Sequence, residues 1–202
     1  MKKAAVIVSL LLATMASLPA IAQGVKITPF YGYTVQDKVY GYYGDVTIGD
    51  GSHYGATLTY EKSSNLAVDL MYSYQSTSFG VKILTPGTGY PSGTYSGSVS
   101  YLMLGSRHSM DFNAKVAPYG GLLIGAAIFN SDVTSETWKF AVGGKLGLVY
   151  HVNEKFGIML QTQLLVPVQG VGVYFGTGGA GASTTSSATQ LGFTGGLEIK
   201  LR

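Results

Sequence analysis

Few side chains in this chain could run a reaction, and their spacing is the first thing to test. Asp50, Ser52 and His53 stand almost side by side, the residue types of a base-activated hydroxyl nucleophile. That chemistry needs the base within hydrogen-bond reach of the hydroxyl and a third group to orient it. Adjacency in an extended chain works against this, because neighbouring side chains leave on opposite faces. His53 reads more simply as an exposed loop histidine, with a His–Ser–acid hydrolase as the remote alternative. His108 and His151 fall on other segments, and no pair of histidines shows metal-ligand spacing. Asp37, Asp45 and Asp50 are scattered among tyrosines rather than set out as oxygen ligands. There is no cysteine, which removes disulfides, thiol catalysis and lipidation of a cysteine. The glycine-rich stretches 85–98 and 177–187 lack the lysine and helix start of a phosphate cradle. No catalytic residue, no cofactor and no metal is expected.

A second kind of chemistry comes from charge set into an apolar pattern. In WKFAVGGKLGLVYHV, residues 138–152, Trp138, Phe140, Val142, Leu146, Leu148, Tyr150 and Val152 alternate with a face that holds Lys139, Lys145 and His151. Period two is the signature of a strand, so one face is apolar and the other polar. A soluble sheet turns the apolar face to a core, whereas a membrane barrel turns it to lipid and encloses the polar face. Composition favours the second arrangement: only 11% of residues are charged, against roughly 25% in ordinary soluble domains.

The first 22 residues read as a separate piece. Lys2 and Lys3, the apolar run Ala4 to Met15 and the Ala20-Ile21-Ala22 site form a secretory signal, so the mature chain is expected to start at Gln23 and to form one domain, 23–202. Without Lys2 and Lys3 the basic residues fall from 13 to 13 − 2 = 11 against 10 acidic ones, so the processed chain is near neutral. With no basic cluster, no nucleic-acid partner is expected. Beyond Gln23 the longest apolar run, Leu122 to Phe129, is too short for a spanning helix and contains Gly125. Closed strands are then the remaining way through a bilayer.

Eight segments carry the alternation: 25–35, 53–62, 66–75, 98–107, 115–129, 138–152, 156–168 and 190–201. In 98–107 we assign Val99, Tyr101 and Met103 to the apolar face, opposite Ser98, Ser100 and Ser106. Long connections (36–52, 76–97, 130–137, 169–189) alternate with short ones (63–65, 108–114, 153–155). The pattern predicts an all-β, eight-stranded antiparallel up-and-down transmembrane β-barrel with four external loops. Tyr33, Tyr54, Tyr72, Tyr74 and Trp138 lie toward the long-loop end, and Tyr60, Phe112, Tyr150 and Phe156 toward the short-turn end. Two aromatic girdles at the lipid–water boundaries account for this placement.

Ala117-Pro118-Tyr119-Gly120-Gly121, Gly143-Gly144-Lys145-Leu146-Gly147 and the terminal Gly195-Gly196-Leu197-Glu198-Ile199-Lys200-Leu201 make the chain resemble small eight-stranded outer-membrane barrels of the OmpA/OmpX type. The resemblance covers essentially 23–202. It implies an exported protein of a Gram-negative-type outer membrane. It also implies contact with outer-membrane lipids including lipopolysaccharide, and handling by the barrel-assembly machinery through Gly196, Ile199 and Leu201. The chain departs from the family in ending Leu201-Arg202 rather than on an aromatic, and in showing no periplasmic domain after the last strand.

Eight strands enclose a lumen that side chains fill. Lys145 is expected to point into it and to pair with Asp69 or Glu61, beside Arg107 and Gln161, while Lys26, Glu198 and Lys200 gather near the periplasmic end. The leading expectation is a non-enzymatic barrel with a structural or surface-interaction role and a polar plug. A narrow channel for small solutes or apolar molecules is the alternative, and a lipid A-modifying enzyme centred on His53 is third. No ligand or host partner of the loops can be named from these residues.

Overall fold

The computed structural model describes residues 24–41, 44–83, 93–131, 134–168, 171–176, 179–184 and 189–201. The expected signal segment 1–22, Gln23, most of the stretch 85–98 and Arg202 lie outside the described residues.

Among the described residues all regular structure is strand: β1 (Val25–Thr34), β2 (Asp37–Gly41), β3 (Gly44–Ile48), β4 (Gly51–Glu61), β5 (Leu66–Ile83), β6 (Gly93–Ser109), β7 (Val116–Ser131), β8 (Thr134–His151), β9 (Phe156–Val168), β10 (Val171–Gly176), β11 (Gly179–Thr184) and β12 (Gln190–Lys200). Eight of them close into a ring in the order β5-β4-β1-β12-β9-β8-β7-β6, with β6 returning to β5. Every pairing is antiparallel, and the seam is the pairing of β1 with β12. The fold is thus an all-β, eight-stranded up-and-down barrel.

Alternation dictates which way each residue faces. Along β9, Phe156, Ile158, Leu160 and Leu164 are exposed, while Met159, Gln161, Gln163 and Leu165 are buried. The outer wall is greasy: Leu122 is 73% exposed, Leu146 64% and Tyr31 64%. Such a continuous apolar outer surface is incompatible with water on that side and suits acyl chains. At the short-turn end, Asn153 closes its hairpin by accepting from the amides of Lys155 (2.8 Å) and Phe156 (2.9 Å), a turn device of asparagine.

Two expectations are corrected. On β6 the faces are reversed: Val99, Tyr101 and Met103 are buried in the lumen, and Leu102 and Leu104 face outward. The serines are the outward companions of those leucines, because Arg107 shares the parity of Val99 and Tyr101 and must be enclosed. The long connections are also partly strand. β5 and β6 continue as a paired hairpin above the ring, Ser76↔Ser98 through Val81↔Gly93, and β3 pairs with the upper part of β5 from Ile48↔Phe79 to Gly44↔Ile83. β10 and β11 form a separate hairpin within 169–189. Phe79, Val81 and Ile83 and again Val171, Val173 and Phe175 alternate with period two, whereas their partners 93–98 and 179–184 are mostly glycine, serine, threonine and alanine and give no apolar period to read.

Gly121 marks where wall and lumen crowd each other. The β6–β7 ladder passes from Gly105↔Leu123 to His108↔Gly120, and a Cβ on Gly121 would lie 1.9 Å from the Ser106 carbonyl oxygen and 3.3 Å from Lys145 Cε. On the lipid side Gly144 meets nothing closer than 3.8 Å. We therefore expect Gly121→Ala to cost about 1–3 kcal/mol of stability and Gly144→Ala less than about 0.5 kcal/mol. Urea unfolding in micelles, followed through the single tryptophan Trp138, checks the contrast, and equal costs for the two would contradict this packing.

Candidate functional site

The lumen holds the chain's densest chemistry. Six of the eight wall strands each send one charged side chain inward: Lys26 from β1, Glu61 from β4, Asp69 from β5, Arg107 from β6, Lys145 from β8 and Glu198 from β12. They form one chain of contacts. Lys26 Nζ lies 2.7 Å from Glu61 Oε1 and 2.8 Å from Glu198 Oε1. Arg107 donates through Nη1 to Glu198 Oε2 at 3.0 Å and through Nε to Asp69 Oδ2 at 3.0 Å. Lys145 Nζ closes the series on the same Asp69 oxygen.

Read in order, Glu61–Lys26–Glu198–Arg107–Asp69–Lys145 alternates in sign and sums to zero. An ion in a low-dielectric interior needs a partner and further hydrogen bonds to be tolerated. Each member has at least one counter-ion, and Asp69 also accepts from Thr59 Oγ1 at 2.6 Å. The Arg107 guanidinium carbon sits 4.4 Å from the centre of the Tyr119 ring, a cation–π contact. The phenol of Tyr119 donates to Gln161 Oε1 at 2.8 Å, and Gln161 Nε2 donates to Gln163 Oε1 at 3.1 Å.

Of the two partners expected for Lys145 it takes Asp69, and Glu61 is engaged by Lys26 instead. Gln161 touches the ions through Tyr119 rather than directly. Lys200 is exposed and outside the chain of ions.

Apolar side chains fill the space the ions leave: Phe30, Met71, Tyr101, Met103 and Met159 are all buried within the ring. Tyr101 donates to Gln190 Oε1 at 2.8 Å. None of these was expected as lumen filling, yet a signal existed: Met71 is two residues from Asp69, Met159 two from Gln161, and Tyr101 six from Arg107, all of matching parity.

His53 is not an exposed loop residue. It is 1% exposed, with Nδ1 2.9 Å from Thr34 Oγ1 and Nε2 3.0 Å from Thr194 Oγ1. Both ring nitrogens are occupied by lumen threonines, and Asp50 bonds to the Tyr33 hydroxyl, so the Asp50–Ser52–His53 set does not assemble. Among the described residues no group of three or more His, Cys, Asp or Glu could hold a metal ion.

The aromatics expected at the boundaries face outward. Tyr33, Tyr54, Tyr60, Tyr72, Trp138, Tyr150 and Phe156 are exposed, and Tyr74 is half-buried against Tyr54 with ring centres 5.4 Å apart. Phe112 departs from that set: it is buried and joins the lumen cluster from the short-turn end. Among the residues expected to signal assembly, Gly196 faces inward, where a Cβ would meet Met159 Cε at 3.0 Å and Phe30 Cβ at 3.1 Å. Ile199 is half-buried and Leu201 exposed.

A closed ring of eight antiparallel strands, apolar outside and charged within, defines a barrel of the transmembrane type. No protein-family profile and no curated protein sequence matches the chain. Solved structures do. The crystal structure of Neisserial surface protein A aligns with a TM-score of 0.61 at 12% identity, over 88% of this chain and 97% of that one. The outer membrane protein OprG from Pseudomonas aeruginosa aligns at 0.62 and 16% identity, over 87% and 95%. The N-terminal β-barrel domain of OprF from Pseudomonas aeruginosa gives 0.51 and 11%, over 87% and 98%. The fold is that of the small eight-stranded outer-membrane β-barrels.

Removing one member of the ion chain leaves the other ionised and enclosed. Lys145→Met is expected to lower stability by about 3–5 kcal/mol. Asp69→Asn combined with Lys145→Met restores equal numbers of cations and anions, and we expect it to recover half or more of that loss. A double-mutant cycle on urea unfolding in micelles measures the coupling; simple additivity of the two substitutions would show that the pair is not coupled.

Proposed function

We propose that the protein is a non-enzymatic integral component of a Gram-negative-type outer membrane, with a structural or surface-interaction role exercised at its loop end. In this reading residues 1–22 are the export signal, 23–202 the barrel, and Gly196, Ile199 and Leu201 part of what the assembly machinery recognises. Outer-membrane lipids, lipopolysaccharide among them, surround the apolar wall. The observation that carries the reading is the filled and charge-balanced lumen: Asp69, Arg107, Lys145 and Glu198 are all buried and leave no stretch of unpaired charge to conduct along. The ions act as a plug that ties strands together rather than as a gate.

Two further features support a role at the surface. The β5–β6 hairpin continues in register above the ring, and at roughly 3.3 Å per residue the rise from Ser76 to Ile83 is about 23 Å. The β2–β3 hairpin is hydrogen-bonded to its flank. A strand-built projection of this kind holds a contact surface in place better than an unstructured loop. Against catalysis stands His53, whose two nitrogens are held by Thr34 and Thr194.

Single-channel recording in planar bilayers tests the reading. Neither the wild type nor Lys145→Met is expected to pass current above the bare membrane. A discrete conductance in the wild type favours the narrow channel, and one that appears only in Lys145→Met makes Lys145 a gate. Lipid A from cells making the protein should keep its mass; loss of an acyl chain that His53→Ala prevents would establish the enzyme.

A further inference from the structure

The mouth at the short-turn end is charged differently from the lumen above it. A cavity of about 560 Å³ opens there, and its wall holds two kinds of cation. Lys26 is buried and engaged by Glu61 and Glu198. Lys115, Lys155 and Lys200 are exposed, and among the described residues they form no ion pair. Glu198 is taken by Lys26 and Arg107, and Glu61 by Lys26, so Glu154 is the one remaining acid in that wall. Outside the ion chain, and His151 aside, the mouth therefore carries three positive charges against one negative.

The fold gathers these lysines on one arc. Lys115 immediately precedes β7, Lys155 precedes β9 and Lys200 ends β12, and in the ring the strands stand in the order β12-β9-β8-β7. The Lys200 amide donates to the Lys155 carbonyl at 2.8 Å, while the amide of His151, at the end of β8, donates to the Lys115 carbonyl at 2.9 Å. Ammonium groups donate and never accept. Asn153 adds to the donors, because its carbonyl oxygen already accepts from the amides of Lys155 and Phe156 and its NH2 remains. What fits such a rim is an acceptor with negative charge, and lysine binds phosphate in this way, as a point charge.

The cavity also borders the outer wall. Val152 and Phe156 belong to its lining, and both are exposed. Lys115 Nζ lies 5.8 Å from the centre of the Tyr150 ring, which faces outward at the boundary. A lysine placed there lays its stem along apolar surface and keeps its charge at the level of the headgroups. Donors for a phosphate and a surface for acyl chains thus meet at one place.

We propose that the turn-end mouth binds the headgroup of an anionic phospholipid, its phosphodiester held by Lys115, Lys155 and Lys200 and its acyl chains lying on Tyr150 and Phe156. A zwitterionic headgroup brings its own cation against the three lysines and is the poorer ligand. The inference requires the barrel to span a bilayer, but it is independent of the loop-end role and of whether the lumen conducts.

Native mass spectrometry of the processed full-length barrel, released from micelles doped with phosphatidylglycerol or with phosphatidylcholine, tests this. The wild type is expected to retain one phosphatidylglycerol about tenfold more tightly than phosphatidylcholine. Lys115→Gln, Lys155→Gln and Lys200→Gln should each weaken that retention about fivefold, and Lys62→Gln, at the same end but outside the cavity wall, less than about twofold. Equal retention of the two lipids overturns the site, as does an effect of Lys62→Gln as large as that of Lys155→Gln, which would mean general surface charge. Inorganic phosphate is the second probe: a barrel that binds it in phosphatidylcholine micelles without preferring phosphatidylglycerol holds a soluble anion, and the lipid assignment fails. Should one variant not fold, the other two and the wild-type lipid preference decide. A single-channel conductance would sink the filled-lumen reading and leave this site standing.

Discussion

Six ions that alternate in sign can lie inside this barrel only because the wall shuts them in together. Each would be costly alone in a low-dielectric interior, and the attraction between neighbours recovers that cost only when the geometry is kept. The series runs from Glu61 to Lys145 through Lys26, Glu198, Arg107 and Asp69, and so through β4, β1, β12, β6, β5 and β8. Its second step, Lys26 to Glu198, crosses from the first strand of the ring to the last. Closure of the seam and neutralisation of the ions are therefore one event. A ring left open between β1 and β12 would separate Lys26 from Glu198 and strand Arg107 beside a single carboxylate.

The interior is not uniformly polar, and this explains how its cross-section is filled. Ions alone could not fill the cross-section, because their geometry is set by pairing rather than by volume. Met71, Met103 and Met159, with three rotatable bonds each, suit the irregular space between Phe30, Tyr101 and Tyr119. Glycine does the complementary job. At Gly121 and Gly196 an inward side chain would collide with Ser106 and Lys145 or with Met159 and Phe30, so the lumen borrows room from the wall. Lipid contact and core packing are thus met by the two faces of the same strands, with apolar residues on both.

That double use limits what could be read from the sequence. Strand number, direction and the inward set Lys26, Asp69, Arg107, Lys145 and Glu198 were legible, because a charge on the lipid face costs about 2–4 kcal/mol near the midplane and marks the enclosed parity. β6 misled because its inward face is Val99, Tyr101 and Met103, while the outward face carries serines as well as leucines. A serine toward lipid costs far less than an arginine, so the single Arg107 should have outweighed three serines. His53 was legible by the same rule: it shares the parity of Thr57, Thr59 and Glu61, and its nearness to Asp50 and Ser52 distracted from that. The extension above the ring was legible only on β5, where Phe79, Val81 and Ile83 alternate; its partner on β6, Gly93 to Ser98, leaves no hydrophobic period.

These features also divide the molecule by height. Charge pairing occupies the lower lumen, where Lys26, Glu61 and His151 approach the short turns. Higher up the polar residues are neutral: Gln190 with Tyr101, and His53 between Thr34 and Thr194. A neutral hydrogen-bonded layer tolerates small displacements better than an ion pair, whose energy falls steeply once water enters. The ions therefore tie the strands together from the turn end, while hydrogen bonds alone join them in the layer above. The ions that hold the strands in register are thus separate from the layer at the loop end and do not depend on it.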